Sequence, residues 1–387
     1  MEFNLNLKKI KPSGIRKLFD LAQGQKDLIS FGIGEPDFIT PAHIREAAKK
    51  ALDEGYTRYT PNLGFPELRK VLADKLTNKN KISVTPEEVV VTSGGTEALF
   101  FSCYILINPG DEIIIPDPGF VVYESQVYFA GGKPIHLPLR GKNNFHPDLE
   151  ELKNYITPKT KAILINSPSN PTGAAFTQEE LLLIAKIAKE KDLFIISDEL
   201  YEDIIYDGRE HISIASLPGM KEQTISIFGF SKSYAMTGWR LAYLAAPADL
   251  VKEIAKLLQN TSVCANSIAQ RAGLAAIQGP QDCVKEMFSA YSERRNVLTK
   301  GLNEIKGLSC YAPEGTFYAF VNIKETGMTS EELSMYLLEK CKVVTVPGTA
   351  FGTQGEGYIR LSFATSLEDI KEGINRIKKG IEKISSC

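Results

Sequence analysis

The sequence predicts an α/β protein: a large domain with a mainly parallel sheet flanked by helices, plus a smaller α+β domain. Three observations carry that prediction. Short apolar runs alternate with helix punctuation over roughly residues 40–280. After about residue 281 this texture changes. The 387 residues also exceed the length of about 150 that one ordinary domain needs. The expected division is an N-terminal arm over 1–40 that shares in the small domain, a large domain over 41–280 and a small C-terminal domain over 281–387.

Taken in order, Thr40-Pro41 reads as a cap followed by proline at the first helical position, and that helix stops at Glu54-Gly55. Glu88-Val-Val-Val-Thr92, Glu112-Ile-Ile-Ile-Pro116, Lys161-Ala-Ile-Leu-Ile-Asn166, Leu193-Phe-Ile-Ile-Ser197 and Thr224-Ile-Ser-Ile-Phe228 are continuous apolar runs. Runs without strict alternation suit strands buried on both faces, as in a parallel sheet covered by helices. Thr177-Gln-Glu-Glu180 is a capping box opening a helix that ends near Glu190. Gln281 to Leu302 reads as a long charged helix leading away from the sheet. Phe317–Val321 and Tyr358–Ser362 read as strands, accompanied by two further helices. No Gly/Ser linker or internal repeat interrupts the chain.

Composition removes several function classes. Lys+Arg 45 against Asp+Glu 47 leaves a net charge of −2 without large charge blocks, so neither nucleic acid nor an anionic membrane is expected as a partner. No apolar run approaches the roughly 18 residues of a membrane span. The opening MEFNLNLKKIKPSG lacks the apolar core of a secretory signal. The six cysteines are scattered without a CxxC pair, which implies free thiols in a reducing cytoplasm. The four histidines lie far apart without HExxH spacing, so no metal site is expected. A cytoplasmic enzyme or a soluble binding protein remains.

Gly32-Ile-Gly34 resembles the start of a dinucleotide loop, but Glu35-Pro36-Asp37 stands where the third glycine belongs, and the fingerprint fails. Gly34 can still bring backbone close to a ligand. Val89 to Leu99 is a firmer motif. A strand runs into Ser93-Gly94-Gly95-Thr96 and then directly into a helix, which would point free N–H groups and a positive dipole end at an anion. Glycine needed only for turn geometry gives the same pattern. Asn166-Ser-Pro-Ser-Asn-Pro-Thr-Gly173 follows a buried strand, where α/β ligands bind, or is simply a turn cluster. Asp198, in Ile-Ile-Ser-Asp-Glu-Leu-Tyr201, ends an apolar strand and needs a partner for its charge, unless it merely caps the next turn. Lys232 sits in a small, aromatic, nearly uncharged stretch that would lower its pKa and make it a nucleophile or proton carrier. Arg240 follows, beside the only tryptophan.

At successive strand ends of one sheet, these residues fit pyridoxal 5′-phosphate: Lys for an imine, Asp for the pyridine nitrogen, donors for the phenolic oxygen, Arg and a helix terminus for the phosphate. The chain resembles the class I aminotransferases of fold type I, in the branch of bacterial and archaeal aspartate and aromatic aminotransferases. SNPTG, SDELY and SKSYAMTGWR carry the resemblance in order and spacing, and it extends from Gly32-Ile-Gly-Glu-Pro-Asp37 through Tyr59-Thr-Pro and Gly64-Phe-Pro-Glu-Leu-Arg69 to Pro347-Gly-Thr-Ala-Phe-Gly352. The resemblance implies a cytoplasmic homodimeric transaminase exchanging amino acids and 2-oxo acids by a ping-pong cycle, with 2-oxoglutarate as acceptor and aspartate or an aromatic amino acid as donor. It implies that the large domain binds the cofactor. Lys232 matches the lysine that holds the cofactor covalently and shuttles a proton. Asp198 matches the partner of the ring nitrogen, and Asn170 and Tyr201 the donors to the phenolic oxygen. Gly95, Thr96, Ser231 and Arg240 match phosphate-side positions, with Tyr59 reaching the phosphate of the neighbouring subunit. Phe120 falls where an aromatic stacks on the ring. Arg360 matches the clamp on the substrate α-carboxylate, assisted by Gly34 and Asn170.

Two departures stand out. Gly229 replaces a serine found in some members three residues before the lysine. No Arg or Lys occurs in Asn260–Asn266, and Thr96 stands where some bacterial members carry a lysine for a distal carboxylate. The first removes one phosphate hydroxyl; the second points away from strict aspartate specificity, unless Arg16, Arg58 or a residue of a second subunit reaches the pocket. Phe38, Phe120, Tyr123 and Phe351 are candidates for an aromatic-tolerant lining. The rival readings are another fold type I enzyme, such as a C–S β-lyase, and a regulator built on the same fold. A regulator would need a DNA-binding domain ahead of Gly32, where about thirty mostly neutral residues stand.

Overall fold

The computed structural model describes residues 5–10 and 27–385. Its strands are β1 (Ile29–Ser30), β2 (Val89–Thr92), β3 (Glu112–Asp117), β4 (Lys133–Pro138), β5 (Thr160–Asn166), β6 (Phe194–Asp198), β7 (Thr224–Gly229), β8 (Ala242–Ala245), β9 (Ser309–Cys310), β10 (Tyr318–Asn322), β11 (Val343–Val344), β12 (Val346–Pro347) and β13 (Tyr358–Ser362). A seven-stranded sheet runs in the order β2-β8-β7-β6-β5-β3-β4. Its pairings are parallel except that β8 runs antiparallel to both β2 and β7.

The apolar runs form strands because both faces are covered. Successive side chains point to opposite faces. Ile113 and Ile115 pack with Leu99, Val127 and Ile254 from the helices Gly95–Leu106, Val122–Phe129 and Ala248–Asn260. Ile114, between them, packs with Leu181 and Ile184 of the helix Gln178–Glu190 on the other side. That helix opens on the expected capping box, with Thr177 accepting from the Glu180 N–H. Two strands of the seven-stranded sheet escaped the sequence reading, as did the short β1, β9, β11 and β12. β4 carries two prolines, which an edge strand tolerates, and β8 is the short, alanine-rich Ala-Tyr-Leu-Ala.

A second, antiparallel sheet runs β12-β13-β10-β9, and β1 pairs with β11. Ile29 and Phe31 join the same core as Leu298, Leu337 and Ile370 from the helices Asp282–Asn303, Ser330–Cys341 and Leu367–Ser385. One expected cap is corrected. The helix Ala42–Asp53 has Pro41 itself at its N-cap. The Thr40 hydroxyl donates instead to the Ala235 carbonyl at 2.6 Å and accepts from Trp239 Nε1 at 2.9 Å. Its oxygen is spent on the loop after Lys232. No helix among the described residues is long and apolar enough to cross a membrane.

Candidate active site

The parallel register sets Asn166 beside Asp198 and Asp198 beside Ile227, so β5, β6 and β7 end side by side. The segments leaving those ends enclose a cavity of about 330 Å³, within the range of ligand pockets. Gly34, Gly95, Thr96, Phe120, Asn170, Asp198, Tyr201, Ser231, Lys232, Arg240 and Arg360 all line it. Tyr59 does not; its side chain is 85% exposed on the outside of this chain.

Lys232 is half-buried, and its Nζ donates to the Gly34 carbonyl at 2.6 Å. Burial lowers its pKa to about 8; Glu35 opposes the shift, while Arg360 and Arg240 reinforce it. Asp198 is buried. Burial lifts its carboxyl to about 6 although Tyr123 donates to Oδ2 at 2.7 Å and the Leu200 N–H to Oδ1 at 3.3 Å. Asn166 ties the neighbouring loops by donating to the Asp198 carbonyl and accepting the Asn170 N–H. Tyr123 lines the cavity, and its hydroxyl orients the Asp198 carboxylate.

Gly94 precedes the helix Gly95–Leu106 with φ +96°, and a side chain there would run into the Arg240 guanidinium. Among the described residues Arg240 has only the Thr237 carbonyl as hydrogen-bond partner, at 3.1 Å. The departure at Gly229 has a steric reason: a Cβ would stand 2.5 Å from a Leu200 methyl.

Arg360 is 3% exposed and pairs with no carboxylate among the described residues. It donates to Asn170 Oδ1 at 3.1 Å and to the Gly32 carbonyl at 2.6 Å, and its Nε has no partner. The guanidinium lies between the rings of Tyr318 and Phe351, 4.4 and 4.8 Å from their centroids. Phe351 thus supports the arginine instead of lining the cavity. Phe38 packs edge-on against Tyr291 and also lies outside the lining. Arg58 is exposed and does not line the cavity, and Arg16 lies outside the described residues. Asp37 holds the Gly32–Phe38 segment through two 2.8 Å bonds from Arg294. Tyr318 and the Arg294–Asp37 pair went unseen in the sequence, since no local pattern marks either.

The donor set fits pyridoxal phosphate: a buried carboxylate, an amine of lowered proton affinity, and two guanidiniums lacking carboxylate partners, one beside a glycine-opened helix terminus. The fold and the site together define a pyridoxal-phosphate-dependent enzyme of the α/β type. The family model for aminotransferase class I and II matches residues 26–377. The chain is 47% identical over 382 residues to an aspartate aminotransferase of Pyrococcus abyssi, covering 98% of both chains. It is 45% identical over 386 residues to aromatic-amino-acid aminotransferase 2 of Thermococcus litoralis, covering 99% of both. The solved aromatic aminotransferase of Pyrococcus horikoshii superposes with a TM-score of 0.91 at 43% identity, over 96% of this chain and 100% of that one. The chain belongs to the class I and II aminotransferase family, and it is a pyridoxal-phosphate-dependent amino-acid aminotransferase. The β-lyase and regulator readings are not favoured.

Proposed function

We propose that the enzyme takes a broad range of amino donors, aromatic and other apolar amino acids beside aspartate or glutamate, with 2-oxoglutarate as acceptor. When bound, the cofactor supplies the electron sink that every donor needs. Asp198 keeps a negative charge at the ring nitrogen, and Asn170 and Tyr201 donate to the phenolic oxygen. Arg240, Ser231, Thr96 and the Gly95 end of the helix bind the phosphate, helped by Tyr59 of the partner subunit in a homodimer. Phe120 stacks on the ring. Lys232 holds the cofactor and carries the proton on its Nζ. Arg360, with Gly34 and Asn170, binds the α-carboxylate common to all substrates. A cytoplasmic location accords with the free thiols at Cys103, Cys264, Cys283, Cys310 and Cys341.

One observation carries the donor range. Beyond Lys232, Arg240 and Arg360, no Lys or Arg lines the cavity among the described residues. Relatives named for aspartate and for aromatic amino acids stand at similar identity, which supports the same breadth. Apolar contacts discriminate by only about 1–3 kcal/mol per methylene. Steady-state kcat/KM for aspartate, glutamate, phenylalanine, tyrosine and alanine tests the reading. Values within about two or three decades support it, and a preference for aspartate above about 10⁴-fold overturns it.

A further inference from the structure

Tyr318, at the start of β10, is 1% exposed and lines the cavity. Three contacts fix it. The Arg360 guanidinium lies 4.4 Å above its ring. Its hydroxyl shares a 2.8 Å hydrogen bond with the Tyr201 hydroxyl. The same hydroxyl occupies the space that a side chain at Gly34 would need, and the Gly34 carbonyl is the acceptor for Lys232. One phenol therefore touches the arginine proposed for the carboxylate, the tyrosine proposed for the phenolic oxygen, and the backbone that holds the lysine.

The shared hydrogen bond can run either way in this chain alone. It acquires a direction once Tyr201 has another acceptor to serve. A phenol carries one proton, so a Tyr201 that donates to the cofactor's oxygen can only accept from Tyr318. Neither hydroxyl has another hydrogen-bond partner among the described residues. Burial raises the proton affinity of both, so both stay neutral donors in ordinary buffers. The positive charge above the Tyr318 ring works against burial there and sharpens its hydroxyl as a donor. Hydrogen bonds in series polarise one another where the local dielectric is low.

We infer that Tyr318 is a positioning residue: it donates to Tyr201 and thereby strengthens Tyr201's own donation to the cofactor's phenolic oxygen. The inference rests on the role proposed above for Tyr201. Its consequence falls on the Lys232 nitrogen once that nitrogen is joined to the cofactor, because the nitrogen's proton is shared with the same oxygen. Stronger donation to the oxygen leaves it less able to hold that proton, and the nitrogen titrates at lower pH. Losing the Tyr318 hydroxyl moves the titration up.

The test is a spectrophotometric pH titration of the holoenzyme, following the visible band of the bound cofactor, in wild type, Tyr318→Phe, Tyr201→Phe and the double variant. Phenylalanine at 318 keeps a ring beneath Arg360 and removes one oxygen. Tyr318→Phe should raise the midpoint by about 0.3–1 pH unit, the scale of part of one hydrogen bond. Tyr201→Phe should raise it further, and in the double variant the change at 318 should add nothing. A midpoint that moves in Tyr201→Phe and stays still in Tyr318→Phe overturns the relay and leaves the role of Tyr201 intact. A midpoint that stays still in Tyr201→Phe overturns both. Additive shifts in the double variant also overturn the relay, since Tyr318 would then act without Tyr201.

Discussion

The two ends of the cavity are built on two different sheets. At the end proposed for the cofactor, Asn170, Asp198 and Lys232 sit at or just beyond three neighbouring parallel strand ends of the large sheet, so backbone pairing sets their spacing. At the end proposed for the substrate, Tyr318 and Arg360 stand on the paired strands β10 and β13 of the small antiparallel sheet, and the Arg360 side chain reaches the Tyr318 ring and the Gly32 carbonyl after β1. The charge left over differs as well. One end keeps a buried carboxylate at Asp198, the other a buried guanidinium at Arg360. Each needs a partner of opposite sign that the described chain does not provide. Two sheets thus deliver opposite charges to the two ends of one cavity.

Breaking the cofactor end should cost most. Asp198→Asn removes the charge that would keep the ring nitrogen protonated, while the Tyr123 contact and the phosphate contacts survive. Single-turnover rates should fall by about 10²–10³-fold with the cofactor still bound. Near-normal rates would remove Asp198 from its role.

At the other end, Arg360→Ala should lower kcat/KM by roughly 30-fold or more, the cost of truncating one partner of a buried charge pair. The loss should be similar for aspartate, phenylalanine and alanine, because all present the same carboxylate. A loss confined to one donor class would mean that Arg360 reads the side chain instead.

A finer comparison concerns pH. The Lys232 amine, lowered to about 8, is mostly free base above that pH and mostly ammonium below it. Colour development after adding pyridoxal phosphate to the apoenzyme should therefore accelerate as pH rises through about 8. An ordinary lysine would show its rise near 10.5. Stopped-flow absorbance distinguishes the two, and a rise delayed beyond pH 10 would show that the amine is not desolvated.

The same contrast explains what could be read in advance. Asp198 and Lys232 were legible because each breaks the texture of its surroundings, a charge ending an apolar strand and a lysine among small and aromatic residues. The capping box at Thr177 was legible because its partners are three residues apart. Tyr318 gave no such contrast among 15 tyrosines, and its partners Tyr201 and Arg360 are far away in sequence. Arg294 and Asp37, 257 positions apart, pose the same difficulty. Thr40 misled because a cap and a tertiary hydrogen bond require the same side chain.

The smallest expected effect lies where the Asn170 loop meets the segment leading to β10. His146 Nδ1 lies 2.8 Å from Glu180 Oε1, and Nε2 lies 2.9 Å from Glu314 Oε2. Arg209 and Tyr311 also reach Glu314. The Glu314 carboxylate accepts the Ala175 N–H at 2.9 Å, and the Gly173 carbonyl accepts the N–H groups of Glu314 and Gly315. Burial alone would favour a neutral imidazole, but the two flanking carboxylates prevail and raise its pKa to about 9. A group whose folded pKa lies above its ordinary 6.5 adds stability that is complete below that pH and lost as pH climbs through about 9. His146→Gln should therefore lower Tm at pH 6, and the gap from wild type should close by pH 10. Thermal unfolding of both proteins across that range measures it. A gap that stays constant would mean that His146 packs here as a neutral ring, and that Glu314 holds the Asn170 loop without an imidazolium behind it.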